Sequence, residues 1–396
     1  MFDLNAIQNA LQDAQLDGWL LYDFRGSNQL ARRVMNIPDG AMGSRRCAYG
    51  IPATGEPLKI VHRIEDAALD HLPGEKEIYL RWQEFEAAFE KFLTGKSRVA
   101  MEYSPKNGNP YISRVDAGTI ELVRSFGVEV VSSGDLIQLF EATWSSEQWA
   151  MHQEASVLTN AAFDIAWKLI AVSVRDVGGI EEKAVCDAIM EHFHTNGMTT
   201  YHPPIVGRGA HSGMPHYETG TGKDTLIREG DFVLIDLWAK LDRHMAVYSD
   251  LTRTGFVGKD VPEKYTQIFN IVAAARDAGI EKVKTAMAAG ESLRGGDVDD
   301  AVRKVIDDAG YGDDFGHRTG HSIGQEVHGN GAHIDNLETR EDRHILTNTC
   351  FSIEPGIYLA EFGVRSEVDV YVDGERNVHV TGGLLQQAVI PILAQY

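Results

Sequence analysis

Three histidines, His317, His321 and His328, are spaced through the stretch FGHRTGHSIGQEVHG among four glycines. His317 and His321 have the separation that puts two metal ligands on one helical face. Gly316, Gly320 and Gly324 argue against that helix, since each weakens it by roughly 1 kcal/mol relative to Ala. The stretch reads instead as an irregular strand, in which glycine permits close approach and unusual dihedrals and lets the imidazoles converge on one small site. Taken alone, the same residues also fit three polar loop histidines.

A second oddity is acid placed where strands should be apolar. Asp236 lies inside FVLIDLW, Asp250 follows Val247 and Tyr248 and precedes Leu251, Glu354 follows Phe351 and Ile353, and Glu367 sits in GVRSEVDVYV. A buried carboxylate is costly unless it is paired or holds a cation. Along the last strand Arg365, Glu367, Asp369 and Tyr371 share one face by the two-residue period. Singly, each acid fits a salt-bridged or solvent-facing strand residue. Together, four carboxylates and a glycine-flanked histidine are the donors that two divalent cations about 3.5–4 Å apart require. Oxygen-rich ligation with one imidazole suits Mn²⁺, with Zn²⁺ or Co²⁺ as alternatives.

The elements that must hold these residues follow from pattern. Residues 1–144 alternate helices and strands (GWLLYD, LKIVH, EIYLR, a helix over Trp82–Leu93, SRVAMEY, VEVVSSG), the signature of an α/β unit. No titratable motif gathers there. A boundary falls near Ser145, which can cap a long helix with Gln148 three positions on. In 145–396 a helix ending at Gly197 is followed by strands, then by a helix from Pro262 capped by Asp260, another helix stopping at Gly310, the histidine stretch, and the strands CFSIEPGIYL and GVRSEVDVYV. The order helix, helix, strands occurs twice, a hint of a two-fold repeat whose halves meet at a shared site.

The 396 residues suggest two domains. A formal charge of -21 argues against nucleic acid or an anionic membrane as partner, because both require a basic surface. Cys47, Cys186 and Cys350 fit no disulfide framework. The N-terminus lacks a signal-peptide pattern, and no apolar run is expected to reach the roughly 18 residues that span a bilayer. These features predict a cytoplasmic protein.

At the acids and histidines the chain resembles the pita-bread metallopeptidases, the family of proline-specific aminopeptidases, prolidases and methionine aminopeptidases, and most closely the prolidase and Xaa-Pro aminopeptidase branch. The resemblance implies an α+β architecture: a C-terminal pita-bread (creatinase/aminopeptidase) fold with an internal pseudo-two-fold, after a smaller α/β, ribonuclease H-like domain. It carries over five metal ligands, Asp236, Asp250, His321, Glu354 and Glu367, in VLID, SDLTRT, HRTGHSIG, SIEPGIY and GVRSE. His216 in MPHY, His317, His328 and Arg365 match groups the family uses in catalysis, with Glu354 as the acid/base, and Tyr358 completes EPGxY. The chain departs from the family at Trp238, where glycine is usual, at Ala246 and Val247, which replace Gly-Tyr, at His211, where Asn is frequent, and at Gly329, where an acid is usual. His211, Trp238 and Tyr358 are thereby expected to border substrate.

The implied reaction is hydrolysis of the Xaa-Pro amide bond of short peptides, as an aminopeptidase or dipeptidase, by a hydroxide bridging two divalent cations. The same fold also hydrolyses small non-peptide C–N bonds in creatinase-like and ectoine-hydrolase-like enzymes, and serves as a binding module in histone-chaperone relatives. Both remain alternatives. The resemblance further implies a homodimer.

Overall fold

The computed structural model describes residues 2–38, 40, 41 and 43–396. The chain divides into two compact units, Met1–Glu141 and Ala142–Tyr396.

The first unit is built on a six-stranded mixed sheet. Its strands run Glu75–Tyr79, Leu58–His62, Arg46–Pro52, Gly18–Phe24, Arg98–Met101 and Glu129–Ser132 across the sheet. The central strand GWLLYDF is apolar almost throughout because it is covered on both faces. Trp19 and Leu21 enter one core with Ile7, Leu11 and Ile137, while Leu20 and Tyr22 enter the other with Phe85 and Phe89. The helix Trp82–Leu93 forms over the predicted residues.

In the second unit Ser145 caps the helix Ser146–Val177 reciprocally with Gln148, over 3.0 and 3.2 Å. This helix is long and apolar enough to cross a membrane by composition, with a hydropathy of 1.4, contrary to the expectation that no such run exists. Its fold context differs from a membrane span. Ala155, Ala162, Phe163, Ala166, Trp167 and Ile170 are buried in a core shared with the helix Glu182–Thr195 and the strand Phe232–Leu241. Gly197, at φ 65°, follows that second helix.

The strand Phe232–Leu241 pairs antiparallel with Ser249–Phe256 on one side and Ile205–Arg208 on the other. The helices Glu263–Ala289 and Gly295–Asp308 pack against each other through Val272, Ala275, Val302 and Ile306. Asp260 does not cap the first of them: Pro262, extended at φ −58° and ψ 141°, occupies the cap position with its carbonyl, so the helix starts one residue later than expected.

The two C-terminal strands are each broken, where the sequence pattern suggested continuous ones. Thr349–Ile353 belongs to a four-stranded sheet, and Gly356–Tyr358 to a separate hairpin with Gly363–Arg365. Val368–Val372 then returns to the four-stranded sheet. Pro355 has no N–H for a ladder, which fits a break at that point. Glu354 and Glu367 sit at these two crossings between sheets, tied by Glu354 N to Thr319 O at 2.7 Å and Glu367 N to Thr252 O at 3.4 Å.

Candidate metal centre

Cross-strand register places the first two acids. Asp236 lies opposite Thr252 and Trp238 opposite Asp250. Directly paired residues, and residues two apart, share a face, so Asp236, Trp238, Asp250 and Thr252 project from one side of this ladder. The histidine stretch is mostly irregular, with only Ser322–Ile323 in a strand and Gly320 bridged to Ile334. Gly320 is required there: a Cβ would lie 2.0 Å from Ser352 O. That close approach sets His321 beside the acids.

His321 Nε2 lies 3.5 Å from Asp250 Oδ2 and 3.3 Å from Glu354 Oε1. Donor atoms of Asp250, His321 and Glu367 all fall within 4.8 Å of one another. Asp236, Asp250, His321 and Glu367 are buried, and the Glu354 side chain is 14 % exposed. Around this group, Thr252 donates to Glu367 Oε2 at 2.7 Å, Ser352 donates to Glu354 Oε1 at 3.1 Å, and Arg365 pairs with Asp236 Oδ2 through Nη2. Arg365 Nη1 also donates to the Tyr358 hydroxyl at 3.2 Å, which lies 2.6 Å from His317 Nε2.

The electrostatics are those of ligands held ready for cations. Burial, then the charges of Asp236 and Glu354, raises the Asp250 pKa far above the ordinary carboxylate value. Burial, then Asp250, does the same to Glu367, and burial foremost brings Glu354 to about 7. Burial and the neighbouring His328 keep the His321 imidazole neutral, the form that ligates metal. Asp236 Oδ1 and Asp250 Oδ1 are buried with no hydrogen-bond partner. Orphaned anionic acceptors are expensive in an interior unless a cation satisfies them. The donor set therefore fits divalent metal.

The other sequence-predicted residues fall in three places. His317 and Tyr358 join the cluster through Arg365, as described, and burial with Arg365 lowers the His317 pKa to about 3. The His328 ring stands 4.3 Å from that of His321 with its residue exposed to solvent, and exposed His216 is near enough for its charge to act on His317 and His328. His211 lies outside the group: it is buried, bonded through Nδ1 to Glu182 Oε1 at 2.8 Å and stacked on Tyr217 at 4.5 Å. Glu182 also accepts from the Tyr217 hydroxyl at 2.6 Å and from Arg208 N at 2.8 Å.

Sequence reasoning missed Thr252 and Ser352, and placed Asp369 on the Glu367 face without giving it a role. Asp369 accepts from Asp250 N at 3.1 Å and from Ser249 Oγ at 3.1 Å, fixing the Asp250 backbone from behind. Two-residue spacing signals Thr252 after Asp250 and Asp369 after Glu367, whereas Glu182 carries no signal in its own neighbourhood.

Residues 150–374 match metallopeptidase family M24. The Xaa-Pro dipeptidase of Lactobacillus delbrueckii subsp. lactis is 34% identical over 207 residues, 52% of this chain and 51% of that protein. The Xaa-Pro dipeptidase of Pyrococcus furiosus is 30% identical over 223 residues, 56% of this chain and 59% of that one. The chain thus spans between half and three-fifths of the length of these two relatives. Among solved structures, dipeptidase PepE from Mycobacterium ulcerans superposes with a TM-score of 0.65 at 23% identity, covering 98% of this chain and 96% of its own. The X-prolyl aminopeptidase of Caenorhabditis elegans, described as a cytosolic enzyme with a di-nuclear active site, superposes at 0.60 and 16% identity over 96% and 61%. These likenesses carry the α+β pita-bread fold. With more than half its length matched, the chain belongs to metallopeptidase family M24, whose members work with divalent metal ions.

Proposed function

We propose that the protein hydrolyses the Xaa-Pro amide bond of short peptides with two divalent cations, Mn²⁺ foremost, held by Asp236, Asp250, His321, Glu354 and Glu367. The observation that carries this reading is the buried group of four carboxylates and one imidazole with two orphaned acceptors. The names of the two Xaa-Pro dipeptidase relatives support the substrate class. When bound, such a cation pair supplies an acidified water and polarises the substrate carbonyl.

The remaining chemistry belongs to side chains. The prolyl nitrogen carries no hydrogen and leaves only with a proton, so a carboxyl at the site must take one from water and return it to that nitrogen. Glu354, at the mouth of the acidic group, has that role through its carboxyl oxygens. His216 and His328 donate to the carbonyl oxygen as it gains charge, each such donor being worth about 2.7–4 kcal/mol in comparable sites, while His317, held by Arg318 O and the Tyr358 hydroxyl, orders the shell with Arg365. Arg365 orients Asp236 and, through Tyr358, His317. We further propose a homodimer and a cytoplasmic location, the latter consistent with free thiols at Cys47, Cys186 and Cys350.

The test is turnover of Ala-Pro and Ala-Pro-Ala under added Mn²⁺, beside a guanidino and a cyclic amide. Cleavage of either peptide, lost on Asp250→Ala, supports the reading and separates dipeptidase from aminopeptidase action. Cleavage of the small amides alone would replace it with a creatinase- or ectoine-hydrolase-like function. Undiminished, metal-independent hydrolysis by Asp250→Ala would remove the metal mechanism.

A further inference from the structure

The helix Gly295–Asp308 carries an ion pair that lies outside the acidic cluster. Asp299 and Arg303 are four positions apart, acid before base, the order that a helix favours. Arg303 Nε donates to Asp299 Oδ2 at 2.7 Å, with the aspartate side chain fully buried and the arginine side chain 15 % exposed. A second pair on the same helix, Lys304 with Asp308 at 2.8 Å, has the same spacing but is exposed on both sides. What separates the two is where the remaining hydrogen-bonding capacity of the first pair is directed.

That pair stands in for a strand beside the histidine stretch. Arg303 donates through Nη1 to Phe315 O at 3.2 Å and through Nη2 to His317 O, and its guanidinium lies 4.3 Å over the Phe315 ring. Asp299 accepts from Thr319 N at 3.0 Å and from Asn336 N at 2.8 Å. Phe315, His317 and Thr319 are alternate residues, so these are the backbone groups that one edge of a ladder would pair. Only Ser322–Ile323 of the stretch lies in a strand. Buried backbone groups need such partners, and the rigid fork of a guanidinium can hold two carbonyls at a fixed spacing.

From these anchor points two lines of bonds run into the cluster. The first leaves His317, whose Nε2 lies 2.6 Å from the Tyr358 hydroxyl; that hydroxyl accepts from Arg365 Nη1 at 3.2 Å, and Arg365 pairs with Asp236. The second passes through Thr319, whose N–H is held by Asp299 and whose carbonyl accepts from Glu354 N at 2.7 Å. We infer that Asp299 and Arg303 are positioning residues for the hydrolytic reaction, holding His317 and Glu354 in one register from the far side of the histidine stretch. The inference rests on the Xaa-Pro reading above. Both residues act through that stretch and not on the substrate.

The experiment measures kcat and KM on Ala-Pro in the Mn²⁺-loaded protein and in Arg303→Met, Arg303→Lys, Asp299→Asn and Lys304→Met, each well below its melting temperature. In parallel, ¹⁵N-histidine spectra of the chelated protein follow the His317 ring, identified by its loss in His317→Gln. We expect kcat of Arg303→Met and Asp299→Asn to fall about 10–100-fold, the usual range for groups that hold a reactive shell from behind. KM should stay close to the parent's, since the interaction lost is not one made to the substrate. Arg303→Lys, which still reaches one carbonyl, should keep more activity than Arg303→Met, and Lys304→Met should match the parent. The His317 resonances should move in Arg303→Met and hold their place in Lys304→Met. A folded Arg303→Met with the kcat of the parent or with unmoved His317 resonances overturns the inference, as does a loss no larger than that of Lys304→Met. If the parent cleaves no dipeptide, the Xaa-Pro reading fails and the His317 spectra alone decide. Should Arg303→Met not fold, Asp299→Asn carries the same comparisons, and parent-like kcat and spectra in it overturn the inference.

Discussion

Thr252 donates its hydroxyl to Glu367 Oε2 over 2.7 Å and accepts from Arg365 Nε at 3.1 Å, so one small side chain orients two members of the acidic cluster. Groups that fix metal ligands from behind typically cost 10–100-fold in metal affinity when removed, by rough consensus. Thr252→Val keeps the shape and deletes both bonds. We expect a tenfold or greater rise in the Mn²⁺ dissociation constant by calorimetry, with the metal-free fold retained by circular dichroism. An unchanged constant would show that Glu367 holds its orientation without Thr252.

The buried carboxylates also make the metal-free protein unstable in a specific way. Burial foremost, then the charges of neighbouring carboxylates, raises the pKa values of Asp250, Glu354 and Glu367, the mark of acids short of counter-charge. Asp250→Asn removes one of those charges. Under chelator the variant should melt at a higher temperature than the parent. Added Mn²⁺ should raise the parent's stability by about 2.7 kcal/mol at 100 times the dissociation constant, and leave the variant almost unmoved. A variant less stable than the parent under chelator would count against this account.

His152 gives the fold an acid limit just behind the cluster, its Nε2 lying 3.8 Å from Asp369 Oδ2. It is fully buried between Tyr248 O at 2.8 Å and Thr381 Oγ1 at 2.7 Å, and burial lowers its pKa from 6.5 to about 4. Between those values the unfolded chain binds the extra proton, so this stabilisation is complete above pH 6.5 and is lost as pH falls toward 4. The window corresponds to about 3 kcal/mol. In chelated protein, urea unfolding should show the advantage of the parent over His152→Gln shrinking by about that amount across the window. A constant difference would mean that His152 does not titrate with unfolding.

The glycines of the histidine stretch are not equivalent. A Cβ at Gly320 would meet Ser352 O at 2.0 Å, whereas at Gly316 nothing lies within 4 Å and at Gly324 the nearest atom is at 4.0 Å. Overpacking of this kind costs about 1–3 kcal/mol. Gly320→Ala should lose that much stability and weaken metal binding, because His321 follows directly. Gly316→Ala and Gly324→Ala should melt within a degree or two of the parent, and equal losses at all three positions would refute the distinction.

Much of this was legible in the sequence because it was locally anomalous. Asp236 in FVLIDLW and Glu354 in CFSIEPG stand out against apolar neighbours, and the Ser145–Gln148 cap is written in four residues. The breaks beside Glu354 and Glu367 were not legible, since each strand's partner is chosen far along the chain: Gly356–Tyr358 pairs with Gly363–Arg365 while their continuations join other strands. The roles of Thr252, Asp369 and Glu182 were hidden for a related reason. All three are ordinary residue types whose meaning depends on what lies across a sheet or in a distant loop, as the pairing of His211 with Glu182 does.

The acidic cluster draws together residues as far apart as Asp236 and Arg365, 129 positions along the chain. During synthesis, Glu367 leaves the ribosome after nearly all of the second unit. The donor atoms that Asp250, His321 and Glu367 bring together therefore exist as a set only once nearly all of that unit has been made.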